Sequence, residues 1–254
     1  MYALLVTIIY QPIFNLLIAL YDVIPLHDMG LAIIGLTVLI RLILWPLSAK
    51  AMKSQKALTD LQPKVEALKA EYKGKSQEEM GKAMMALYSA EKVSPFSSCL
   101  PLVVQLIVLI PLYRALAAGL KSDGFNLLYS FVANPGTVNP KFIGLVDLAV
   151  PSIALAILAG ITSYFQARMM VAKKQPKVAG AKDEQMMAML NKQMLYLMPA
   201  LMVFISWRLP GGLSLYIVTT NLVSILQQWL YLRKPRTGGA GTPASPIVTP
   251  AAKA

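Results

Sequence analysis

The chain has one cysteine, Cys99, and one histidine, His27. A lone cysteine excludes an intramolecular disulfide, and a lone histidine without a cysteine pair gives no ground to expect a metal site, a cofactor or redox chemistry. Acids are scarce too: twelve Asp and Glu stand against 24 Lys and Arg, for a formal charge of +12. Only 14% of residues are charged while 56% are hydrophobic, and the mean hydropathy is +0.57. An ordinary soluble domain is excluded by these values, and an integral membrane protein is expected. No compact basic domain or recognition motif accompanies the positive charge, so specific nucleic-acid recognition is not expected. Residues 1–20 also lack the basic start and small-residue cleavage site of a signal peptide.

What is present is organised around residues 31–47, LAIIGLTVLIRLILWPL. Seventeen residues of helix reach about 25 Å, and flanking Met29, Gly30, Ser48 and Ala49 can lengthen the run into a first span over 31–49. Arg41 sits well inside it. A guanidinium near the bilayer centre costs about 2.5 to 3.5 kcal/mol, so it should face a wet cavity or a partner. Lys50 already marks the interface, and Arg41 lies nine residues, about 13 Å, deeper, which argues against simple snorkelling.

Residues 1–30 read as an interfacial amphipathic helix and an outer loop, with a sixth span over 3–20 as the alternative. Gln11, Asn15 and Asp22 share roughly one helical face, suited to the outer headgroup region. Residues 50–97 carry nine lysines and six acids and belong in water. Two apolar stripes, Leu58, Leu61, Val65, Leu68 and Tyr72, then Met80, Met84, Leu87 and Tyr88, predict a helical hairpin turning at 73–76. Further spans are expected over 98–120, 148–170, 193–209 and 213–232, with a basic loop at 171–183 and a disordered tail over 233–254. Nineteen of the 24 basic residues then fall on one side of the membrane. The positive-inside rule makes that side cytoplasmic, with the amino terminus outside and the carboxyl terminus inside.

Several polar groups lie within these spans. Thr37 precedes Arg41 by one turn, Trp45 and Ser48 follow on the same face, and Gln105 adds an amide from the second span. Thr220, Asn221, Ser224, Gln227 and Gln228 form a stripe on the fifth. Interhelical hydrogen bonds account for any one of these. As a set, with no Asp or Glu in the spans, they describe a water-containing cavity rather than a buried ion pair or a proton relay. Methionines 186, 187, 189, 194, 198 and 202 gather at the fourth span, where flexible thioethers suit varied apolar partners as well as ordinary packing.

In order and spacing, a set of motifs resembles the YidC family of membrane protein insertases, relatives of the mitochondrial oxidase-assembly and chloroplast albino insertases. They are the Arg41 span with Pro46-Leu47, then Leu61-Gln62-Pro63-Lys64, Ala86-Leu87-Tyr88 and Pro95, and Cys99-Leu100-Pro101 with Gln105. Pro210-Gly211-Gly212-Leu213-Ser214-Leu215-Tyr216 follows, then Asn221 with Gln227-Gln228. The resemblance covers nearly the whole chain. It implies an all-α integral membrane protein of the bacterial inner membrane, with five transmembrane helices around a hydrophilic groove open to the cytoplasm and closed outside. Arg41, Thr37, Gln105, Tyr216, Asn221 and Gln228 would line the groove, and Leu106, Leu109, Leu201 and Ile205 would contact the client. It implies nascent membrane proteins and lipid as partners, with the ribosome and the Sec translocon as further candidates, and no catalytic step. Ile217 stands where relatives commonly carry a second aromatic. The alternative is a small anion transporter or channel using Arg41 as its binding site; the internal repeats or paired broken helices it should show are not visible.

Overall fold

Asp28 decides where the first long apolar helix starts. Its Oδ1 accepts from the Leu31 N–H at 2.9 Å, capping α2 (Met29–Ile43) and satisfying a donor that the first helical turn leaves free. The computed structural model describes residues 6–72, 74, 76–94, 100–120, 124–170 and 193–233. Before α2, a π turn over Val6–Tyr10 leads into α1 (Gln11–Val23). After it come α3 (Trp45–Glu71), α4 (Gln77–Ala90), α5 (Leu100–Leu120), α6 (Ile153–Met170), α7 (Met198–Arg208) and α8 (Gly211–Arg233). Pro95, Cys99, the loop 171–183, Met186, Met187, Met189 and the tail 234–254 lie outside the described residues.

Where the sequence predicts one helix over 31–49, the structure makes two. α2 ends at Ile43, and α3 starts at Trp45 and is bent from it by 65°. Pro46 explains the break: it has no N–H for the Leu42 carbonyl and its ring crowds that carbonyl, whereas the first turn of a new helix accepts it. The same-face register expected for Trp45 and Ser48 therefore does not carry over from Arg41. α3 runs on as the first arm of the hairpin, which begins at Trp45 rather than at residue 50. Among the described residues no single helix is both long and apolar enough to cross a bilayer; α2 and α3 are so only as a bent pair. α6 has 18 described residues, about 27 Å, and a π turn over Gln193–Leu197 runs directly into the 11 residues of α7; residues 171–192 between them lie outside the described ones.

The apolar core gathers at one end of the bundle, where α1, the loop 124–150 and the α7–α8 turn meet. Phe14, Leu17, Ile18, Met29, Ile33, Leu36, Leu112 and Leu148 are fully buried there. Polar side chains pin the loop across it. Gln11 Nε2 and Asn15 Nδ2 both donate to the Leu127 carbonyl at 3.0 Å, and Asn15 Oδ1 accepts from the Tyr129 N–H at 2.6 Å. The polar face expected to meet headgroups is thus turned inward, because loop backbone needs partners once it is buried. Asn139 N–H donates to Tyr21 Oη at 2.9 Å, and Ile143 N–H to Asp28 Oδ2 at 2.5 Å. The all-helical expectation misses a small antiparallel pair in this loop, β1 (Lys141–Phe142) with β2 (Val146–Asp147). Phe142 lies across Gly30 so closely that any Cβ there would stand 2.1 Å from its ring. The first donors of α8 are satisfied by the same loop: Gly211 N–H donates to the Val150 carbonyl at 2.9 Å and Gly212 N–H to that of Leu148 at 3.0 Å.

At the other end the hairpin forms as its stripes predict. Leu61 is buried, and Val65, Leu68, Tyr72, Met80, Met84, Leu87 and Tyr88 are half-buried. A Ser76–Glu79 capping box starts α4, Gly74 turns with φ at +95°, and Lys64 pairs with Glu91 between the arms.

Candidate functional site

Three helices bring three of the predicted residues into one hydrogen-bonded chain. α2 carries Arg41 in its last turn, α5 carries Gln105 near its start and α8 carries Tyr216 in its second turn. Arg41 Nη2 donates to Gln105 Oε1 at 2.9 Å, and Gln105 Nε2 donates to Tyr216 Oη at 2.9 Å. The amide serves both neighbours in one orientation only, with its carbonyl toward the cation and its NH2 toward the phenol oxygen. Arg41 and Gln105 are half-buried; Tyr216 is buried.

This chain sits at the margin of the packed core. Leu36 and Tyr216 belong to that core, whereas Leu42 and Ile43, which follow Arg41 on α2, are exposed; on α8 Thr220, Ser224 and Gln227 beyond Tyr216 stay buried. No carboxylate pairs with Arg41 among the described residues, and Gln105 is its one hydrogen-bond partner there. A guanidinium has five N–H donors, so several remain for an acidic or carbonyl group brought alongside.

Other predicted residues are placed differently. Thr37 does not reach the arginine; it is buried one turn away and its hydroxyl donates to the Ile33 carbonyl of its own helix at 2.6 Å. Asn221 is taken up between helices, its Nδ2 donating to Thr162 Oγ1 at 3.1 Å and Ser163 Oγ at 2.8 Å on α6. Gln228 Oε1 is buried with no partner among the described residues. Leu106, Leu201 and Ile205 are 46%, 42% and 37% exposed, while Leu109 packs against the core. Sequence reasoning missed Asp28, although an Asp directly before an apolar run is a readable cap. It also missed Thr162 and Ser163, which carry no signal beyond being hydroxyls in an apolar stretch.

Known proteins resemble this chain in sequence and in fold. A family model described as 60Kd inner membrane protein matches residues 19–237. A membrane protein insertase YidC of Anaeromyxobacter dehalogenans is 37% identical over 221 residues, covering 86% of this chain and 35% of that one. A membrane protein insertase YidC of Fusobacterium nucleatum is 33% identical over 207 residues, covering 82% of this chain and 87% of that one. The chain thus spans about a third of the length of the first relative and most of the second. In fold it resembles an active YidC insertase crystal structure with the first transmembrane domain resolved, at a TM-score of 0.57 and 24% identity over 87% of this chain and 45% of that one. With the match running through α2, the hairpin and all four later helices, the chain belongs to the YidC family of 60Kd inner membrane proteins.

Proposed function

We propose that this chain is a membrane protein insertase, crossing the bacterial inner membrane five times with its amino terminus outside and its carboxyl terminus in the cytoplasm. The observation that carries the reading is the Arg41–Gln105–Tyr216 chain: a cation held by neutral partners, with no carboxylate on it among the described residues, at the margin of a tightly packed apolar plug. The positive-inside rule puts the plug on the outer side and the basic hairpin in the cytoplasm, so water reaches Arg41 from within.

The work follows from desolvation. A short polar segment of a nascent membrane protein, often acidic, is drawn to Arg41 and sheds only part of its hydration in the groove. The adjoining apolar segment passes along Leu106, Leu201 and Ile205 into lipid, driven by apolar transfer. Membrane potential adds about 2.3 kcal/mol per charge per 100 mV for acidic segments moving outward. Clients and lipid are the partners; the ribosome and Sec translocon would meet the chain at the hairpin.

The full chain in liposomes, given a single-span probe with an acidic translocated segment, should protect that segment from added protease. Arg41→Ala should lower this roughly tenfold, the effect of about 1.4 kcal/mol. Undiminished insertion by Arg41→Ala refutes the reading, and an anion flux abolished by the same substitution establishes the transporter in its place.

A further inference from the structure

The polar column on α8 continues past Tyr216. Thr220 follows at i+4 and Gln227 at i+11, on the same helical face and about 16 Å farther toward the hairpin end. Gln227 is only 3% exposed, yet its Nε2 has no acceptor among the described residues. Thr220 Oγ1, buried as well, makes no close hydrogen bond among the described residues and lies beside the Tyr216 phenol. Asn221 shows what helix pairing does with an amide on this helix: its NH2 group is bound by both Thr162 and Ser163. Helix pairing therefore accounts for Asn221 and leaves Gln227 unexplained. An amide donor enclosed without an acceptor is unfavourable, and leucine at this position would avoid that cost.

We propose that Gln227 is a peptide-binding residue of the groove: its Nε2 donates to a main-chain carbonyl of the polar segment as that segment comes in from the hairpin end, before it reaches Arg41. The inference rests on the insertase reading and adds a second kind of recognition to it. Arg41 selects by charge. Gln227 reads a group that every peptide presents, so its contribution is independent of side-chain charge. The spacing fits an extended chain: Thr220 and Gln227 are seven residues apart, about 10 Å along the helix, which is close to three residues of extended peptide. Two hydrogen-bonding groups at that interval can hold one polar strand at two points.

The test uses the full chain in liposomes and two single-span probes that differ only in the translocated segment, one carrying Asp and the other Asn at the same positions. Gln227→Leu should lower insertion of both probes by the same factor, about two- to tenfold. Gln227→Asn, which keeps an amide, should lose less, and Arg41→Ala should affect the acidic probe alone. The thermal midpoint of Gln227→Leu in detergent should equal or exceed that of the unsubstituted chain, since an unmatched donor has been removed. Wild-type insertion of both probes by Gln227→Leu overturns the proposal and assigns the amide to water. So does a loss confined to the acidic probe, or a lowered midpoint that tracks the lost activity. If the unsubstituted chain inserts neither probe, the insertase reading itself fails and this role falls with it.

Discussion

Replacing Gln105 with leucine separates a wet site from a dry one. Leucine is close in volume, but it takes away the acceptor of Arg41 and the donor of Tyr216 in one step. A hydrogen bond to a charged group contributes about 1.5 to 3 kcal/mol and a neutral one about 0.5 to 1.5 kcal/mol. In a sealed interior both would be lost outright and the guanidinium left unpaired, for a cost of about 3 to 5 kcal/mol. Arg41 is only half-buried, however, and water can take the place of the amide carbonyl. The neutral bond to buried Tyr216 is then the main loss, so Gln105→Leu should destabilise the chain by about 1.5 kcal/mol or less. Unfolding titrations in mixed micelles measure this, and a double-mutant cycle with Arg41→Ala should give a coupling energy below about 1 kcal/mol. Insertion of acidic probes should stay at or above the wild-type level, because the cation has lost a competing acceptor. A loss of 3 kcal/mol or more, with coupling of similar size, would show that Arg41 is locked in a dry interior and would refute the groove.

Three other substitutions probe the scaffold. Gly160→Ala places a Cβ 2.1 Å from Val203 Cγ2 and should cost about 1 to 3 kcal/mol by thermal unfolding; adding Val203→Ala should restore most of it. Asp28→Ala removes the α2 cap and the partner of the Ile143 N–H, and should cost at least the 0.5 to 2 kcal/mol or so of a lost cap, read from the same melts. At Asp22 burial holds the carboxyl above its ordinary range and the nearby His27 pulls it partly back. The folded chain therefore binds that proton more tightly than the unfolded one, so the contribution is favourable at low pH and is lost as pH rises through the folded value. Asp22→Asn should raise the thermal midpoint at pH 7, with the gain shrinking toward about pH 4, and equal gains at both would count against it.

The parts of this chain that its sequence made legible are those set by periodicity and by expensive residues. The hairpin stripes from Leu58 to Tyr72 and Met80 to Tyr88 needed only helical spacing, and Arg41 was conspicuous because a cation in an apolar run demands a reason. Its link to Gln105 and Tyr216 joins residues 64 and 111 positions apart, which no local pattern encodes. The break at Leu44 was readable from Pro46, but hydropathy runs on through it and outweighed the proline. Gln11 and Asn15 misled for a different reason: a polar helical face looks the same whether it meets solvent or the backbone of a distant loop. Thr37 and Asn221 share the polar character of the groove residues and are nonetheless engaged elsewhere, because hydroxyls and amides satisfy themselves with whichever acceptor is nearest.

The bend at Leu44 gives the hairpin mechanical leverage over the arginine. Up to Pro63, α3 is a rod of 18 residues, about 27 Å long, fixed at a joint that lacks the Pro46 backbone donor and stands three residues from Arg41. Turning that rod by about 5° moves its far end by about 2.4 Å while the joint itself barely shifts. A weak push on the cytoplasmic tip is thereby geared down into a small, forceful reorientation beside the guanidinium, so an object that never enters the bilayer could still adjust the tilt of the charge within it.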